Sequence, residues 1–567
     1  MSTSEKEQLP LVNPEVVTRK RLSRRSFYLL PLIPVFLTIA RDPLGWTTPT
    51  RYSPQALAAV KCPAQPSALN IGHDWNPLHD DTYASLAADR LSRSVQVPTE
   101  SFDNLPVNAS DPAFDKHYAF AHYLEAEFPK LYTEPVKHEI VNVHGHLFTW
   151  QGSNPDLQPI LLMAHTDTVP VLPATLDQWV YPPFEGIIAQ DGTPSTPGTW
   201  LWGRGVNDCK NSLMGIFGAM ERLVTEGFEP ERTILVANGF DEEVNGFRGS
   251  GKIATLLEER YGHDSLALVV DEGFTGVSFE YGSIVASLGM AEKGAVNIGL
   301  KVETLGGHSS IPPAHTGIGI MSRLLVEMEA NPFNPVLDPA GPYLKYLSCM
   351  SEHAAEMPRS VRYAVKHPKK WPALAKKLAR SDRKLNSFLA TTQAIDLING
   401  GVKVNALPEV VEATVNYRIS FTSSVKATKA HLVSVLGPVA KSLNFTISAF
   451  DNSPKSSPSH ITLFNPSGFE LEPAPGTPSD TKAFELMAGT CKHVFGDQTI
   501  VSPAGMYANT DTRHMWNLTR NLYRFSPALV SDAVNQHTVN ERISLNAHLN
   551  TTRFFYKLIR NSEGWDA

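Results

Sequence analysis

Cysteine is scarce. Four residues, Cys62, Cys209, Cys349 and Cys491, are spread over 567 positions with no CxxC pair, which excludes a disulfide-stapled scaffold, a zinc ribbon and a thioredoxin-type redox site. A dominant charge of one sign is also missing. Fifty basic residues stand against 57 acidic ones, net −7, and no long basic run follows residue 30, so the electrostatic footprint of a nucleic-acid binder is absent. The chain has no helical HExxH and no GxSxG elbow, and GRGVNDCK lacks the Gly-Lys-Ser/Thr ending of a phosphate-binding loop. Internal repeats are absent too. What is present is globular: 42% hydrophobic, 9% aromatic and 19% charged residues can bury enough surface to fold, over a length that calls for two or more domains.

The N-terminus reads as membrane-proximal. Arg19, Lys20, Arg21, Arg24 and Arg25 precede the uncharged run SFYLLPLIPVFLTIA, residues 26–40, an order that favours a cytosolic tail over 1–25 and a translocated body. Fifteen residues interrupted by Pro31 and Pro34 fall short of the roughly 20 that span a bilayer comfortably. The expectation is a single-pass type II signal anchor, with a cleaved signal ending near Ala56-Leu57-Ala58 as the alternative. Sequons at Asn108, Asn444, Asn517 and Asn550 lend weak support to a secretory route. Residues 41–110, rich in Pro, Ser, Thr and Asp, are expected to form a stalk, with ordered structure beginning near Asp111.

From there, strand-like runs alternate with helical ones: PILLMAHTD, MGIFGAMERLVTEG, RTILVANGFDEE, IATLLEERYG, LALVVDEG. Nearly continuous apolar strands separated by helices predict an α/β domain, 111–293, built on a parallel sheet covered on both faces. From about Glu292 the order strand, helix, two strands, helix, strand predicts an inserted α+β lid of split βαβ type over 294–450, and 451–567 should complete the first domain. Within the lid lies a basic helical stretch, residues 358–384. A solvated helical face is its plainer reading, and a lipid- or partner-facing surface the sharper one.

Four predicted strand or loop ends terminate in metal-competent side chains. ILLMAHTDTVP delivers His165 and Asp167, LWGRGVNDCKNSLMG delivers Asp208 ahead of a helix, LVANGFDEEVNG delivers Asp241, Glu242 and Glu243, and LALVVDEGF delivers Asp271. Taken singly, each has a bland explanation: a satisfied core histidine, a helix N-cap, an exposed acidic loop. Their convergence on one sheet edge favours a site of imidazole and carboxylate without thiolate, suited to one or two zinc, manganese or cobalt ions.

At this point the chain resembles the co-catalytic zinc peptidases of the aminoacylase and carboxypeptidase G type. Within that family it is most like fungal vacuolar carboxypeptidase S and related N-acyl amino acid hydrolases. The resemblance runs from about residue 75 to the C-terminus and is carried by LLMAHTDTVPV, WGRGVNDCKNSLMG, GFDEEVNG, VVDEG, GGHSSIPP, INGGVKVNALPE and NTDTRHMWNLTRNLYRFSP. It implies two Zn2+ ions, one on His165 and Asp271, the other on Glu243 and His537, with Asp208 bridging and Asp167 orienting His165 from behind. It implies Glu242 as the general base, His308 as an oxyanion stabiliser on the lid, and Asn405, Arg418 and Arg513 as binders of the substrate amide or carboxylate. It also implies a cis Asp208-Cys209 peptide, with Cys209 a buried neighbour and no nucleophile. The expected activity is carboxypeptidase cleavage of short peptides. N-acyl amino acid hydrolysis or synthesis is the nearest alternative, and a non-catalytic membrane-tethered binding protein a more distant one. A vacuolar lumenal location, or secretion, accompanies these readings, and a homodimer is left open.

Overall fold

Leu161 and Met163 of the strand Ile160–Met163 face one buried cluster while Ile160 and Leu162 face another, which is what a period of two produces when a strand is covered on both sides. In the computed structural model, which describes residues 53, 57, 60–190, 198–273, 276–451 and 457–566, this strand lies at the centre of a nine-stranded sheet. Its neighbours Ile234–Asn238 and Leu268–Asp271 run parallel to it, and Leu522–Arg524 runs parallel to the latter. The expected parallel sheet is in fact mixed: it is parallel through its centre, and its far edge strand Ile500–Met506 also pairs parallel with Ser283–Glu292. Val136–Val141 and Gly145–Trp150 pair antiparallel at one edge, and Leu522–Arg524 meets Ser283–Glu292 antiparallel near the other. Val136–Val141 and Gly145–Trp150 are joined by residues 142–144 alone, too short for a crossover helix, so those two strands can pair only antiparallel. One face is covered by helices Asp81–Val95, Lys210–Thr225, Lys482–Phe495 and Leu545–Asn561, the other by Ser250–Tyr261.

The lid sheet has the order Thr392–Gly400, Val410–Ile419, Gly294–Glu303, His460–Phe464, Thr446–Ala449, backed by helices Gly317–Ala330 and Val425–Ser442 over a separate core. The split βαβ order is present, but His460–Phe464 and Glu470–Leu471 also pair with Gly294–Glu303. The lid sheet therefore extends past the expected boundary at 450.

The basic stretch falls in the helices Arg359–Val365, Trp371–Ser381 and Arg383–Leu389, which follow the helix Pro342–His353 in one insertion. Its lysines are exposed, while Trp371, Leu374 and Ala375 join a core that includes Val285 and Ile500 of the catalytic sheet. The insertion therefore docks on the catalytic domain although its sequence sits inside the lid.

Order begins well before Asp111. Asp80 caps the helix Asp81–Val95 by accepting the Tyr83 N–H at 3.0 Å, which satisfies one of the orphan donors of a helix start. Upstream, Gln65 exchanges hydrogen bonds with the Val501 backbone at 2.8 and 2.9 Å, and Cys62 forms a disulfide with Cys349. Residues 60–110 are thus part of the body rather than a stalk. The cysteine spacing gave no hint of this bridge across 287 positions. Among the described residues no helix is long and apolar enough to cross a membrane; the segments expected as tail and anchor, 1–25 and 26–40, lie outside them.

Candidate active site

The carboxyl ends of the three central strands deliver three loops to one place. His165 follows Ile160–Met163, Glu242 and Glu243 follow Ile234–Asn238, and Glu272 follows Leu268–Asp271. Asp208 enters from the turn before helix Lys210–Thr225, where its peptide bond to Cys209 is cis, as the resemblance implied. His537 enters from the loop between the short strands Ala533–Val534 and Arg542–Ser544.

Two triads of ligand atoms result. His165, Asp208 and Glu272 form one, and Asp208, Glu243 and His537 the other; within each, the atoms lie within 4.8 Å of one another. Asp208 serves both: its Oδ1 is 3.1 Å from His165 Nε2 and its Oδ2 is 2.9 Å from His537 Nε2. His165 Nδ1 lies 2.9 Å from the Asp167 carbonyl and 3.3 Å from Asp167 Oδ1. That contact makes Nδ1 the donor and turns Nε2 toward the cluster. The Asp167 carboxylate does more than orient this ring, since it accepts the backbone N–H groups of Glu242 at 3.1 Å and Glu243 at 3.2 Å, fixing the paired acids.

One expected ligand is displaced. Asp271, the last residue of its strand, accepts the Glu272 N–H at 2.9 Å with one oxygen, and its other oxygen is buried without a hydrogen-bond partner. The residue beyond the strand end, Glu272, reaches the triad instead, with Oε1 4.0 Å from His165 Nε2.

Electrostatics fit cations. Burial, reinforced by the charge on Asp208, holds the carboxyls of Glu243 and Glu272 above their usual range. Burial opposes charge on His537, but hydrogen bonds to Asp208 and Glu243 overcome it and push its imidazole up to about 11. A pocket of crowded carboxylates that holds protons on its histidines is one that favours positive charge. Two imidazoles and three carboxylates, with one carboxylate shared, suit two divalent ions. Glu272→Ala is therefore expected to reduce bound metal from two ions per chain to one, with Asp271→Asn retaining both, as read by plasma mass spectrometry of the dialysed protein. The reverse pattern would return the ligand role to Asp271.

A cavity of about 510 Å3 opens beside the cluster and reaches the lid at Arg418. Arg418 donates to Asn509 Oδ1 at 2.9 Å. Arg513, expected as a second carboxylate clamp, is committed elsewhere: Nε donates to the Thr510 carbonyl, Nη1 to Asn245 Oδ1 and Nη2 to Glu242 Oε1, at 2.9, 3.1 and 3.0 Å. It positions Glu242. His308 and Asn405 are absent from the cavity. They sit together at the exposed strand pair Gly307–His308 and Ala406–Leu407, His308 within the first strand and Asn405 just ahead of the second, where the Ser309 N–H donates to the Asn405 carbonyl. Cys209 is buried, its Sγ accepting the His165 N–H at 3.1 Å, and burial pushes its thiol well above the usual range; it supports the His165 loop.

Sequence reasoning missed Glu541. Fully buried, it accepts from Arg204 Nη1 at 2.6 Å and from the backbone N–H groups of Gly205, Asn207 and Asp208 at 3.1, 3.1 and 3.3 Å. The turn that presents Asp208 is built around this carboxylate. An acid beside Arg542 in a polar loop carries no local signal of that role.

The chain matches peptidase family M20/M25/M40 over residues 161–561. It is 38% identical over 502 residues to carboxypeptidase S of Saccharomyces cerevisiae, an alignment covering 85% of each chain. It is 33% identical over 487 residues to the N-fatty-acyl-amino acid synthase/hydrolase PM20D1 of Bos taurus, covering 84% of this chain and 87% of that one. Among solved structures, human carnosine dipeptidase 1 shares the fold with a TM-score of 0.57 at 14% identity, covering 85% of this chain and 97% of that one. Convergent ligand triads, a general-base candidate held beside them and relatives aligned over most of the length lead to one conclusion: the chain belongs to peptidase family M20/M25/M40 and is a metallopeptidase.

Proposed function

We propose that the chain is a dizinc carboxypeptidase that hydrolyses the amide bond next to a free C-terminal carboxylate in short peptides. The observation that carries this is Asp208 shared by two ligand triads directly beside Glu242. Two zinc ions, favoured by imidazole and carboxylate donors without thiolate, would polarise the scissile carbonyl and activate water. The chain's own residues do the rest. Glu242 takes a proton from the water as its oxygen bonds to the carbonyl carbon, then delivers it to the amide nitrogen as the C–N bond breaks, leaving a carboxylic acid and an amine. Arg513 holds the Glu242 carboxylate in place between these two transfers. Arg418 offers its guanidinium to the substrate carboxylate.

His308 and Asn405 are assigned to a second copy of the chain. Around them Leu305, Ile311, Val402 and Val404 are 78%, 84%, 98% and 99% exposed, and Thr392–Gly400 is an edge strand of the lid sheet, features that support a homodimer in which His308 steadies the oxyanion in the other copy's cavity.

A lumenal or extracellular body is part of the proposal, supported by the basic cluster ahead of residues 26–40, the Cys62–Cys349 disulfide and the exposed sequons at Asn108, Asn444 and Asn517. The test is release of free amine from blocked dipeptides and N-acyl amino acids by the purified protein with zinc, with and without chelator. Chelator-sensitive cleavage of the dipeptides is expected. A preference for acyl substrates would move the assignment to the N-acyl amino acid hydrolase reading, and no release from either despite bound zinc would favour a non-catalytic binder.

A further inference from the structure

A second cavity, of about 210 Å3, adjoins the catalytic one, and Tyr507 lines both. Its walls have two origins. Gly505 and Met506 come from the edge strand Ile500–Met506 of the catalytic sheet, while Tyr343, Leu385 and Phe388 come from the docked insertion. A Cβ on Gly505 would clash with the Phe421 ring, which follows the lid strand Val410–Ile419, and would stand 2.8 Å from the Pro342 ring of the insertion; glycine lets both close on the strand. Aromatic rings line the way in. Phe388 meets Tyr507 edge-on with centroids 5.7 Å apart, and Tyr343 stacks on Phe388 at the same distance. Of the two charged residues at the rim, Glu280 is engaged by the Tyr346 hydroxyl and Lys384 is exposed at the start of the helix Arg383–Leu389. The interior thus offers rings and methylenes rather than a partner for a charged group.

We infer that this aromatic pocket is the subsite for the apolar acyl group of the substrate. The inference rests on the proposed function, because Arg418 at the lid end takes the carboxylate-bearing half and leaves the acyl half as the arm that passes Tyr507. An apolar cavity of about 150 Å3 holds benzene, so this one suits a ring-sized or medium-length acyl group. The insertion, which supplies most of the rings, is then a specificity element.

The experiment compares kcat/KM for N-acetyl-, N-phenylacetyl- and N-octanoyl-leucine in the zinc-loaded full chain and in two variants, Leu385→Trp, which fills the pocket, and Phe388→Ala, which enlarges it. Thermal melting confirms that each variant is folded. Wild type is expected to favour phenylacetyl over acetyl by at least ~10-fold. Leu385→Trp should lower that ratio by about tenfold, and Phe388→Ala should shift the preference toward octanoyl. Ratios unchanged in both variants would overturn the inference, while cleavage of a blocked dipeptide by the same samples would leave the peptidase reading standing. Variant effects that follow the C-terminal side chain, tested with N-acetyl-phenylalanine against N-acetyl-glycine, would also overturn it. If the wild type cleaves none of these acyl-leucines, release of amine from blocked dipeptides decides the peptidase reading separately, and calorimetric titration with N-phenylacetyl-leucine decides the pocket: binding weakened about tenfold in Leu385→Trp supports it, and equal binding sinks it.

Discussion

Glu242→Gln lowers kcat by about 10²–10⁴-fold while the protein keeps both metal ions. Glu242 belongs to neither ligand triad, is buried at the cavity wall, and is fixed from two sides, its N–H by Asp167 Oδ1 at 3.1 Å and its Oε1 by Arg513 at 3.0 Å. Glutamine matches its shape and can still accept from Arg513, so neither the fold nor the ligand set has reason to change. What the amide loses is the ability to take up a proton and give it back. The loss should therefore fall on kcat with little change in KM, the signature of a group whose contribution is confined to the transition state. Steady-state kinetics paired with metal analysis of the same sample is the check, and activity within a factor of about three of wild type would remove Glu242 from the base role.

Glu541→Ala destabilises the fold by about 3–5 kcal/mol, a large share of the roughly 5–15 kcal/mol that holds a typical domain together. Removing the carboxylate strands the Arg204 guanidinium, itself 4% exposed, and orphans the N–H groups of Gly205, Asn207 and Asp208. Breaking one side of a buried pair costs more than the pair contributes, because the partner keeps its charge and loses its compensation. Denaturant unfolding should show the shift as a lower midpoint with an unchanged slope, and a loss under about 1 kcal/mol would mean that water reaches the turn and replaces the carboxylate.

Most of the metal site is legible in the sequence because buried strands leave a mark at their ends: an apolar run that stops at His165 or at the Glu242–Glu243 pair has few structural reasons to do so. The choice between Asp271 and Glu272 is not legible, since the one-residue difference depends on where the strand's pleat ends relative to the site. His537 and Glu541 share a polar loop whose importance comes wholly from what it touches more than three hundred residues earlier in the chain. His165, Asp167 and Asp208 could be placed at strand or helix ends from sequence, whereas the free or committed state of Arg513 depends on Asn245 and Glu242 lying in reach. The docking of the insertion follows the same rule: Trp371 and Leu374 announce a buried face, but nothing in them says that the catalytic sheet buries it.

The helix Pro342–His353 is joined covalently through Cys349 to Cys62 and packs with Val285 and Ile500. Mechanically, then, the insertion is part of the catalytic body, and the movable portion of the lid is only its sheet with the helices Gly317–Ala330 and Val425–Ser442. A hinge for that portion would have to run through four crossings: residue 293, residues 331–341, residues 389–392 and residues 472–481. Lys293, which donates to the carbonyls of Ser387 and Ala390 at 3.0 and 2.8 Å, ties the first crossing to the third. A swing of the sheet would carry Arg418 with it and leave Tyr343 and Phe388 where they are. The two ends of a substrate would then be gripped by parts that travel independently, so that seating the apolar end and closing on the carboxylate become successive events that kinetics can separate.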